Sequence, residues 1–484
     1  MKKTVLRMFA LLLALLMLVP VAVACKKNEE EGPVGDSGEV STAETHPVPL
    51  KDLGGKDYVF ATSRWSNYDR LNFTDIYLEA YTGDFVEDAA YTRVLYMQEN
   101  FNCNVKQEIL EQSQVVTKLE QNAYAGEDAF DFVLFRGYDF TASVNGGYLA
   151  DISRFNINIE NSWWDKNAID TVTINNKSYA LVGDVSTNHL LAAYMTVFNK
   201  TLIANNELDD PYKLVEEGTW TFEKMSTMAK SIADDMKDGI EGMSKEDIWG
   251  IHYTRDNVLG LLSSCGVKVA QKDANGVPTL VIQNYTSDVE DILKKLYDET
   301  YACDTISSKI CKAENADTEF FDKGRVLFCL TATHNASVLR ASDVEYGILP
   351  YPKLSAEADY VPNTAGLYFS YLGIPINNAD FEDSAIFLEA FAAQGQLNVR
   401  PQFYENVLLR KVGKDMESAN MLQYIFENIN YDIGCMFDVI GDDIRQTSID
   451  QDTAIASMLK SKRGTWLQAL KEVVRSYSDE ETAS

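Results

Sequence analysis

The segment Ala129-Phe-Asp-Phe-Val-Leu-Phe135 is a largely apolar run of strand length. Such a run is typical of a strand that is buried on both faces of a parallel sheet. Upstream, Asp57–Thr62 and Asn104–Ile109 read as two further strands, and apolar residues at helical spacing predict helices over 86–101 and 113–124. Strands that alternate with helices predict right-handed crossovers and therefore an α/β lobe.

A second α/β series follows along the chain. The further predicted strands are 177–182, 190–198, 248–253 and 325–330. The further predicted helices are 221–236, 256–263, 287–300, 383–393, 416–428 and 450–475. Because 484 residues exceed the about 100–200 residues that are usual for one domain, we predict two lobes.

The first residues of the chain predict export. A basic head precedes an apolar run over 8–23, which ends in Ala22-Val23-Ala24-Cys25. This ending resembles the bacterial lipobox, with Ala22 where Leu is usual, so we predict a signal peptide over 1–24 and a lipid on Cys25. Plain secretion and an uncleaved anchor are the alternatives, although the apolar run is shorter than the ~20 residues of a spanning helix.

The segment after the predicted cleavage site has the composition of a spacer. Residues 25–54 are rich in Gly, Pro, Ser, Thr and Glu and contain few large apolar side chains. Such a segment buries too little apolar surface to offset its ordering entropy. We therefore predict a flexible, lipidated tether that keeps a globular body close to a membrane.

Charge and cysteine content narrow the function further. The formal net charge is −30 and no basic stripe is present, which argues against a nucleic-acid partner. Among the seven cysteines, only Cys303 and Cys311 lie close in sequence, and the apolar surroundings of Cys329 favour a buried free thiol. The disulfide state stays open at this point.

Three pairs of segments and one single segment, in this order along the chain, resemble segments of a known protein family. They are Asp131–Tyr138 with Gly147–Ile152, Asn176–Val182 with Met195–Lys200, Gly218–Lys224, and Phe320–Phe328 with Tyr346–Pro352. Together they resemble the family-1 extracellular solute-binding proteins of bacterial ABC importers, a group that includes the maltose and oligosaccharide receptors.

The resemblance implies an α/β, two-lobe, periplasmic-binding-protein-like fold of type II with a hinged ligand cleft. Lobe I would comprise 55–183 and 371–430, and lobe II 184–370 and 431–484, with crossovers at Gly183–Ser186 and Ser370–Pro375. It also implies a monomer, without cofactor, metal or catalysis. Such a protein captures a sugar or oligosaccharide by lobe closure and delivers it to the permease subunits of an ABC transporter.

Sugar recognition predicts which loops matter. A pyranose stacks on an aromatic ring while its hydroxyls need polar partners, and open α/β sheets bind ligands at the carboxyl ends of their strands. The candidate ligand-binding residues on such loops are Arg64, Trp65, Asn67, Arg136, Tyr138, Asp184, His189, Tyr253, Arg255, Thr333, His334, Asn335, Tyr368, Tyr371 and Asp432.

Two features of these loops bear on the ligand. The loop after 325–330 has no Trp, whereas the maltose-type receptors place stacking aromatics there, which argues against a maltodextrin. Arg64 and Arg136 leave room for an acidic sugar, because a guanidinium can bind a carboxylate through two hydrogen bonds; either could instead pair with an Asp of the cleft. We predict structural roles for Trp163, Trp164 and Trp220.

Two other function classes stay open. A glycoside hydrolase would need two carboxylates ~5–10 Å apart, and with 73 acidic residues such pairs arise by chance. A surface sensor or adhesin domain could have the same cleft. The sequence has no HExxH, GxSxG or P-loop motif, and Gln271–Gly276 fits a hairpin turn better than a calcium loop.

Overall fold

The computed structural model of the chain describes residues 46–66, 69–126, 129–234, 236, 244, 246–297, 301–303, 321–339, 342–378, 380–405, 415–450 and 454–478. The predicted signal peptide, Cys25, the tether up to residue 45, Asn67 and Cys311 lie outside these ranges. No helix within them is both long and apolar enough to span a membrane.

The strands of the described residues alternate with helices, as the sequence predicts. The strands are β1 (Asp57–Arg64), β2 (Asn104–Glu111), β3 (Phe132–Arg136), β4 (Tyr194–Asn199), β5 (Trp249–Tyr253), β6 (Ala270–Lys272), β7 (Pro278–Leu280), β8 (Tyr301–Cys303), β9 (Val326–Ala332), β10 (Tyr346–Leu349) and β11 (Ser370–Gly373).

The helices before β10 are α1 (Phe85–Phe101), α2 (Val115–Ala125), α3 (Gly137–Asn145), α4 (Lys166–Val172), α5 (Lys200–Asn205), α6 (Pro211–Glu216), α7 (Phe222–Ile232), α8 (Asn257–Ser264), α9 (Thr286–Leu296) and α10 (Ala336–Leu339). Those after β11 are α11 (Phe381–Gln394), α12 (Arg400–Gln402), α13 (Met416–Glu427), α14 (Ile433–Met436), α15 (Asp443–Asp450) and α16 (Ile455–Ser476).

Two open sheets organise the chain. The first has the strand order β11-β3-β1-β2, in which β1 pairs in parallel with both neighbours and β11 runs antiparallel to β3. The second has the order β10-β4-β9-β5-β8, with antiparallel pairs around β4 and parallel pairs around β5. Every residue of β3, β4 and β9 is buried, as expected of strands that are covered on both faces.

Aromatic packing fixes the first sheet against its helices. The Phe387 ring of α11 stacks on Tyr58 of β1 at 4.1 Å and on Phe132 of β3 at 5.5 Å between centroids. Helix α1 begins at the N-cap Asp84, whose carboxylate accepts hydrogen bonds from the first backbone N–H groups of the helix.

Three stretches of chain pass side by side between the two sheets. Ala193 forms a bridge with Thr364, and Asn363 forms one with Asn430. Residues 370–373 were predicted to belong to the second crossover between the lobes. They form β11 of the first sheet instead, so the chain crosses between the two sheets just before residue 370. Helix α13, which the sequence prediction places in lobe I, packs on β10 through Ser418; the lobe boundaries themselves stay a prediction.

One predicted strand does not form. Residues 177–182 make only single bridges, at Lys177 with Ile174 and at Leu181 with Leu372. Asn175 and Asn176 both take left-handed backbone conformations, with φ of 51° and 61°, and close a tight turn that leaves room for one pair only. The hairpin predicted around Gly276 is confirmed by the antiparallel pair β6–β7.

Candidate functional site

The carboxyl ends of four strands, two from each sheet, supply a common cleft. Trp65 follows β1, Tyr138 lies in the first turn of α3 directly after β3, and His334 follows β9. The fourth end is that of β5, after which Asp256 precedes α8. The sequence reasoning predicted this placement, because ligands of open α/β sheets bind outside these strand ends.

Three aromatic side chains meet in the cleft and are called the aromatic cluster here: Trp65, Tyr138 and Tyr368. The Trp65 ring lies 5.8 Å from that of Tyr138 and 5.5 Å from that of Tyr368, which it meets edge-on. Tyr138 is 40% exposed, so part of its ring is open to solvent. Ring faces of this kind can stack against the apolar face of a sugar.

An ion-pair network adjoins the aromatic cluster. The Tyr368 hydroxyl donates to an Asp256 carboxylate oxygen at 2.7 Å, and the Tyr194 hydroxyl donates to the Asp256 carbonyl oxygen at 2.7 Å. Arg445 of α15 pairs with Asp256 at 3.3 Å. Burial, together with the nearby Asp256 carboxylate, raises the pKa of Tyr138 to about 12.

Arg445 carries the positive charge of this network. Besides Asp256, it pairs with Asp438 and Asp442, each at 3.0 Å. Its side chain is only 4% exposed, and the three carboxylates raise its pKa against the opposing effect of desolvation. The network therefore holds Arg445 charged and in place without offering its charge to a ligand.

Two cavities open from the cleft and are named here by one residue each. The Arg445 chamber is lined by Leu259, Asn363, Thr364, Met436 and Arg445, among others. The His334 chamber is lined by Leu71, Asn257, Thr331, His334 and Asn335, among others.

Both chambers contain buried polar atoms that lack a hydrogen-bond partner among the described residues. They are His334 Nδ1, Asn335 Oδ1 and Thr364 Oγ1. Burial lowers the pKa of His334 to about 3, with a smaller contribution from nearby Arg70, while a hydrogen bond to the Leu191 backbone opposes the shift. The neutral ring donates through one nitrogen, so Nδ1 is left as an acceptor.

The predicted arginines are engaged elsewhere. Arg136 is buried, donates to the Tyr368 carbonyl oxygen at 3.0 Å and lies over the Phe73 ring at 4.7 Å; burial lowers its pKa to about 9. Arg64 pairs with Glu111 at 3.4 Å and Arg255 with Asp442 at 3.7 Å. The ion pair of Arg64 argues against the acidic ligand that the sequence left open, whereas Nη2 of the buried Arg136 has no hydrogen-bond partner among the described residues.

Four predicted residues have side chains committed to the protein interior, which corrects their assignment. Tyr253 is fully buried, and its hydroxyl donates to the Leu296 carbonyl oxygen. Tyr371 is also fully buried, and its ring stacks on that of Phe140 with 4.3 Å between the ring centroids. Buried Thr333 donates to the Leu190 carbonyl oxygen.

Asp432 is the fourth. It lines the Arg445 chamber, but its carboxylate accepts hydrogen bonds from four backbone N–H groups, those of Val269, Ala270, Gly434 and Cys435. The physical reason in all four cases is that contacts within the fold occupy the polar atoms or the ring of the side chain.

Asp184 and His189 lie at a different place. Asp184 is buried and pairs with Arg400 at 3.1 Å, and His189 Nδ1 hydrogen-bonds the Ser186 carbonyl oxygen at 2.8 Å. Both line a separate cavity together with Trp163 and Trp164. The structure does not bring them to the aromatic cluster.

Three residues of the cleft were missed by the sequence reasoning: Tyr194, Asp256 and Arg445. Asp256 directly follows the predicted Arg255 in the loop after β5, so its position at a strand end could have indicated it. Arg445 comes from the C-terminal helices, and no local pattern shows that α15 packs against the start of α8. Among the described residues, no group of three or more His, Cys, Asp or Glu side chains is placed to hold a metal ion.

Solved structures with the same fold were found by comparison. A cyclic alpha-maltosyl-1,6-maltose binding protein from Arthrobacter globiformis matches with a TM-score of 0.56 and 13% identity, covering 87% of this chain and 100% of its own. An ABC substrate-binding protein from Listeria monocytogenes in complex with cycloalternan matches with a TM-score of 0.55 and 12% identity, covering 87% and 99%.

A sugar transporter protein from Rhizobium etli, in an open conformation, matches with a TM-score of 0.53 and 14% identity, covering 88% of this chain and 100% of its own. No family model matches the sequence, and no curated protein is detectably similar to it. The chain therefore has the two-lobe fold of the maltose-type solute-binding proteins, which confirms the fold class predicted from its motifs.

Proposed function

We propose that this protein is an extracellular solute-binding protein that captures a sugar or oligosaccharide between its two lobes and delivers it to the permease of an ABC transporter. The aromatic cluster supports this proposal most directly, because it lies among polar groups at the strand ends where this fold binds ligands. The structural neighbours that are described as sugar-binding proteins support the same conclusion.

The polar groups of the two chambers indicate what kind of sugar fits. His334 Nδ1 and Asn335 Oδ1 are acceptors, and the Asp256 carboxylate adds negative charge. Acceptors of this kind pair with ligand hydroxyl groups, whereas an anionic ligand would be repelled by the Asp256 carboxylate and would meet an Arg445 that is already paired with three carboxylates. We therefore propose a neutral, hydroxyl-rich ligand.

The proposed location follows from the N-terminal sequence. A signal peptide over 1–24 and a lipid on Cys25 would place the protein on the outer face of the cell membrane, where a permease partner lies. A receptor that hands its ligand to a permease gains from such an anchor, because tethering raises the effective concentration of one partner near the other.

We propose binding without turnover. The aromatic cluster and the acceptors can hold a sugar, and the Asp256 carboxylate is occupied by Tyr368 and Arg445. A glycosidase would need one carboxylic acid free to protonate the leaving oxygen and a second carboxylate placed opposite it.

A thermal-shift screen of the mature protein tests the proposal. The panel contains neutral mono-, di- and oligosaccharides, the matching uronic acids, and peptides. A ligand at 100 times its dissociation constant should add about 2.7 kcal/mol to the free energy of unfolding. We expect a rise in melting temperature with neutral saccharides; a rise with peptides alone, or with no compound of the panel, would contradict the proposal.

A further inference from the structure

The His334 chamber is small and lies beside the aromatic cluster. Its volume is about 50 Å³, which is room for a few water-sized groups and not for a sugar ring. The Tyr368 ring belongs to its lining and lies 6.0 Å from the His334 ring and 5.5 Å from the Trp65 ring. A sugar ring that stacks on the aromatic cluster would therefore lie next to the chamber, and only a substituent of that ring could reach inside.

Several hydrogen-bond donors of the chamber lining are engaged within the protein. The hydroxyl group of Tyr194 donates to the Asp256 carbonyl oxygen, and that of Tyr368 donates to the Asp256 carboxylate, each at 2.7 Å. Asn335 Nδ2 donates to Thr331 Oγ1 at 2.8 Å. These donors are directed at the protein rather than at an occupant of the chamber.

The buried polar atoms that the lining leaves without a hydrogen-bond partner among the described residues are acceptors. They are His334 Nδ1, Asn335 Oδ1 and one Asp256 carboxylate oxygen, which already forms an ion pair with Arg445. His334 is neutral because burial lowers its pKa to about 3, and it has a hydrogen bond to the Leu191 backbone; its Nδ1 can therefore only accept. An occupant that satisfies these atoms must donate a hydrogen bond.

The charges around the chamber favour a neutral donor. A carboxylate would be repelled by Asp256 and has no proton to donate. An ammonium group would be disfavoured by the charges of Arg70 and Arg136, which lie near enough to His334 to contribute to its lowered pKa. A hydroxyl group has a proton to donate and carries no net charge.

We propose that the His334 chamber is the subsite for the exocyclic hydroxymethyl group of a hexopyranose. The sugar ring stacks on the aromatic cluster, and the hydroxyl group at the end of this two-atom arm enters the chamber and donates to His334 Nδ1 or Asn335 Oδ1. The inference rests on the proposed function and narrows it to saccharides that are built from hexoses. A pentose lacks the arm, and a uronic acid carries a carboxylate at its end.

The test compares sugars that differ only in this arm. Calorimetry measures dissociation constants for glucose, galactose, mannose, maltose, cellobiose and the best saccharide of the thermal-shift screen. It does the same for their 6-deoxy derivatives, which have methyl in place of hydroxymethyl, and for xylose and xylobiose, which lack the arm. Wild type should bind the best hexose saccharide about ten-fold or more tightly than its 6-deoxy derivative, because a buried acceptor stays unpaired when the hydroxyl group is missing.

Two variants place this preference in the chamber. His334→Phe and Asn335→Leu each remove one acceptor and keep a side chain of similar size. At least one of them should reduce the preference for the hydroxymethyl form to within about three-fold. Thr364→Val is the matched control, because it removes a buried hydroxyl group from the Arg445 chamber instead; it should leave the preference unchanged.

Equal affinity of wild type for hexoses and their 6-deoxy derivatives, tighter binding of the pentoses, or an unchanged preference in both variants overturns the subsite while the sugar-binding function stands. If neither variant folds, a crystal structure of wild type with the bound hexose saccharide decides. A hydroxymethyl oxygen within hydrogen-bond distance of His334 Nδ1 or Asn335 Oδ1 supports the subsite, and water alone in the chamber overturns it. If wild type binds no saccharide, the proposed function itself fails.

Discussion

At the scale of single residues, the cleft combines an exposed ring face with unpaired acceptors and an arginine whose charge is already paired. Tyr138 supplies an open ring face, His334 and Asn335 supply acceptors, and Arg445 is neutralised by three carboxylates. These local groups should influence ligand selection more than the net charge of −30 does. Charges on the distant surface are screened by salt, whereas groups in the cleft contact the ligand directly.

Trp65 should contribute strongly to ligand affinity. Trp65→Ala removes the ring that contacts both Tyr138 and Tyr368, so we expect the dissociation constant to rise by about ten-fold or more, as for other central aromatic contacts. Calorimetry with the ligand found by the thermal-shift screen measures the effect. Circular dichroism of the variant should match wild type, and an unchanged affinity would place Trp65 outside the binding site.

Asp139 should make folding stability depend on pH. Burial raises its pKa to about 7, against the hydrogen bond from Gln112 and the charge of Arg136. The folded state therefore binds a proton that the unfolded state has lost between pH ~4 and ~7, so this group lowers stability as the pH rises through that window. Asp139→Asn should remove the effect.

The measurement for Asp139 is the free energy of unfolding in urea at pH 5 and pH 8. Relative to wild type, Asp139→Asn should be more stable at pH 8 than at pH 5 by about 2–3 kcal/mol. Asp359→Asn, at an exposed position, controls for a general change of charge. An equal difference at both pH values would show that Asp139 is ionised throughout.

Sequence reasoning located the cleft better than it chose the side chains within it. Strand ends can be read from apolar runs, so Trp65, Tyr138 and His334 were predicted at strand ends, where the structure places them; their contact with a ligand stays a prediction. Whether a side chain at a strand end faces the cleft or the core depends on one residue of register, and Tyr253 and Tyr371 face the core. Arg445 escaped because its contacts join segments far apart in sequence.

At the scale of elements, the alternation of strands and helices was readable because the strands are buried on both faces. β3, β4 and β9 are mostly apolar, and helix α16 begins five residues after the start of the predicted helix 450–475 and ends one residue beyond its end. The exception is 177–182, where a local turn at Asn175 and Asn176 overrides an apolar pattern. Short strands depend on their tertiary partner, which periodicity does not report.

Asp432 connects two elements through one carboxylate. It caps α14 at Gly434 and Cys435, and it accepts from Val269 and Ala270 beside the hairpin β6–β7. Asp432→Ala leaves these buried donors without an acceptor, so we expect a loss of about 1–3 kcal/mol in the free energy of unfolding, measured in urea.

Asp84→Ala is the matched comparison for Asp432. Asp84 is an exposed N-cap that accepts from two backbone N–H groups of α1, and its loss should cost about 1 kcal/mol. If Asp432→Ala costs less than Asp84→Ala but weakens ligand binding, then Asp432 acts on the ligand and not on the fold.

At the scale of the whole molecule, the C-terminal helix joins the parts that would move. Helix α16 lies near α3, which follows β3 of the first sheet. It also lies near α9 and β7, which belong to the part of the chain between β5 and β8 of the second sheet. Its end is fixed by Tyr477, whose ring meets Tyr179 at 4.8 Å. A hinge motion that closes the cleft must therefore carry or slide this helix, since it contacts both sides.

The N-terminal cysteine should decide where the protein is found. Cys25→Ser removes the predicted lipid attachment site, so we expect the protein to be released into the medium or to remain unprocessed. Fractionation of cells that express either form, followed by mass measurement of the N-terminus, distinguishes these results. Membrane retention of a cleaved Cys25→Ser protein would contradict the lipid anchor.

The central claim is that the cleft binds a sugar and leaves it unchanged. Calorimetric titration of the mature protein with the best neutral saccharide, followed by chromatography of the recovered ligand, tests this most directly. The account predicts saturable binding of one ligand per protein and an intact saccharide after prolonged incubation. Hydrolysis of the saccharide, or heat signals that do not saturate, would contradict it.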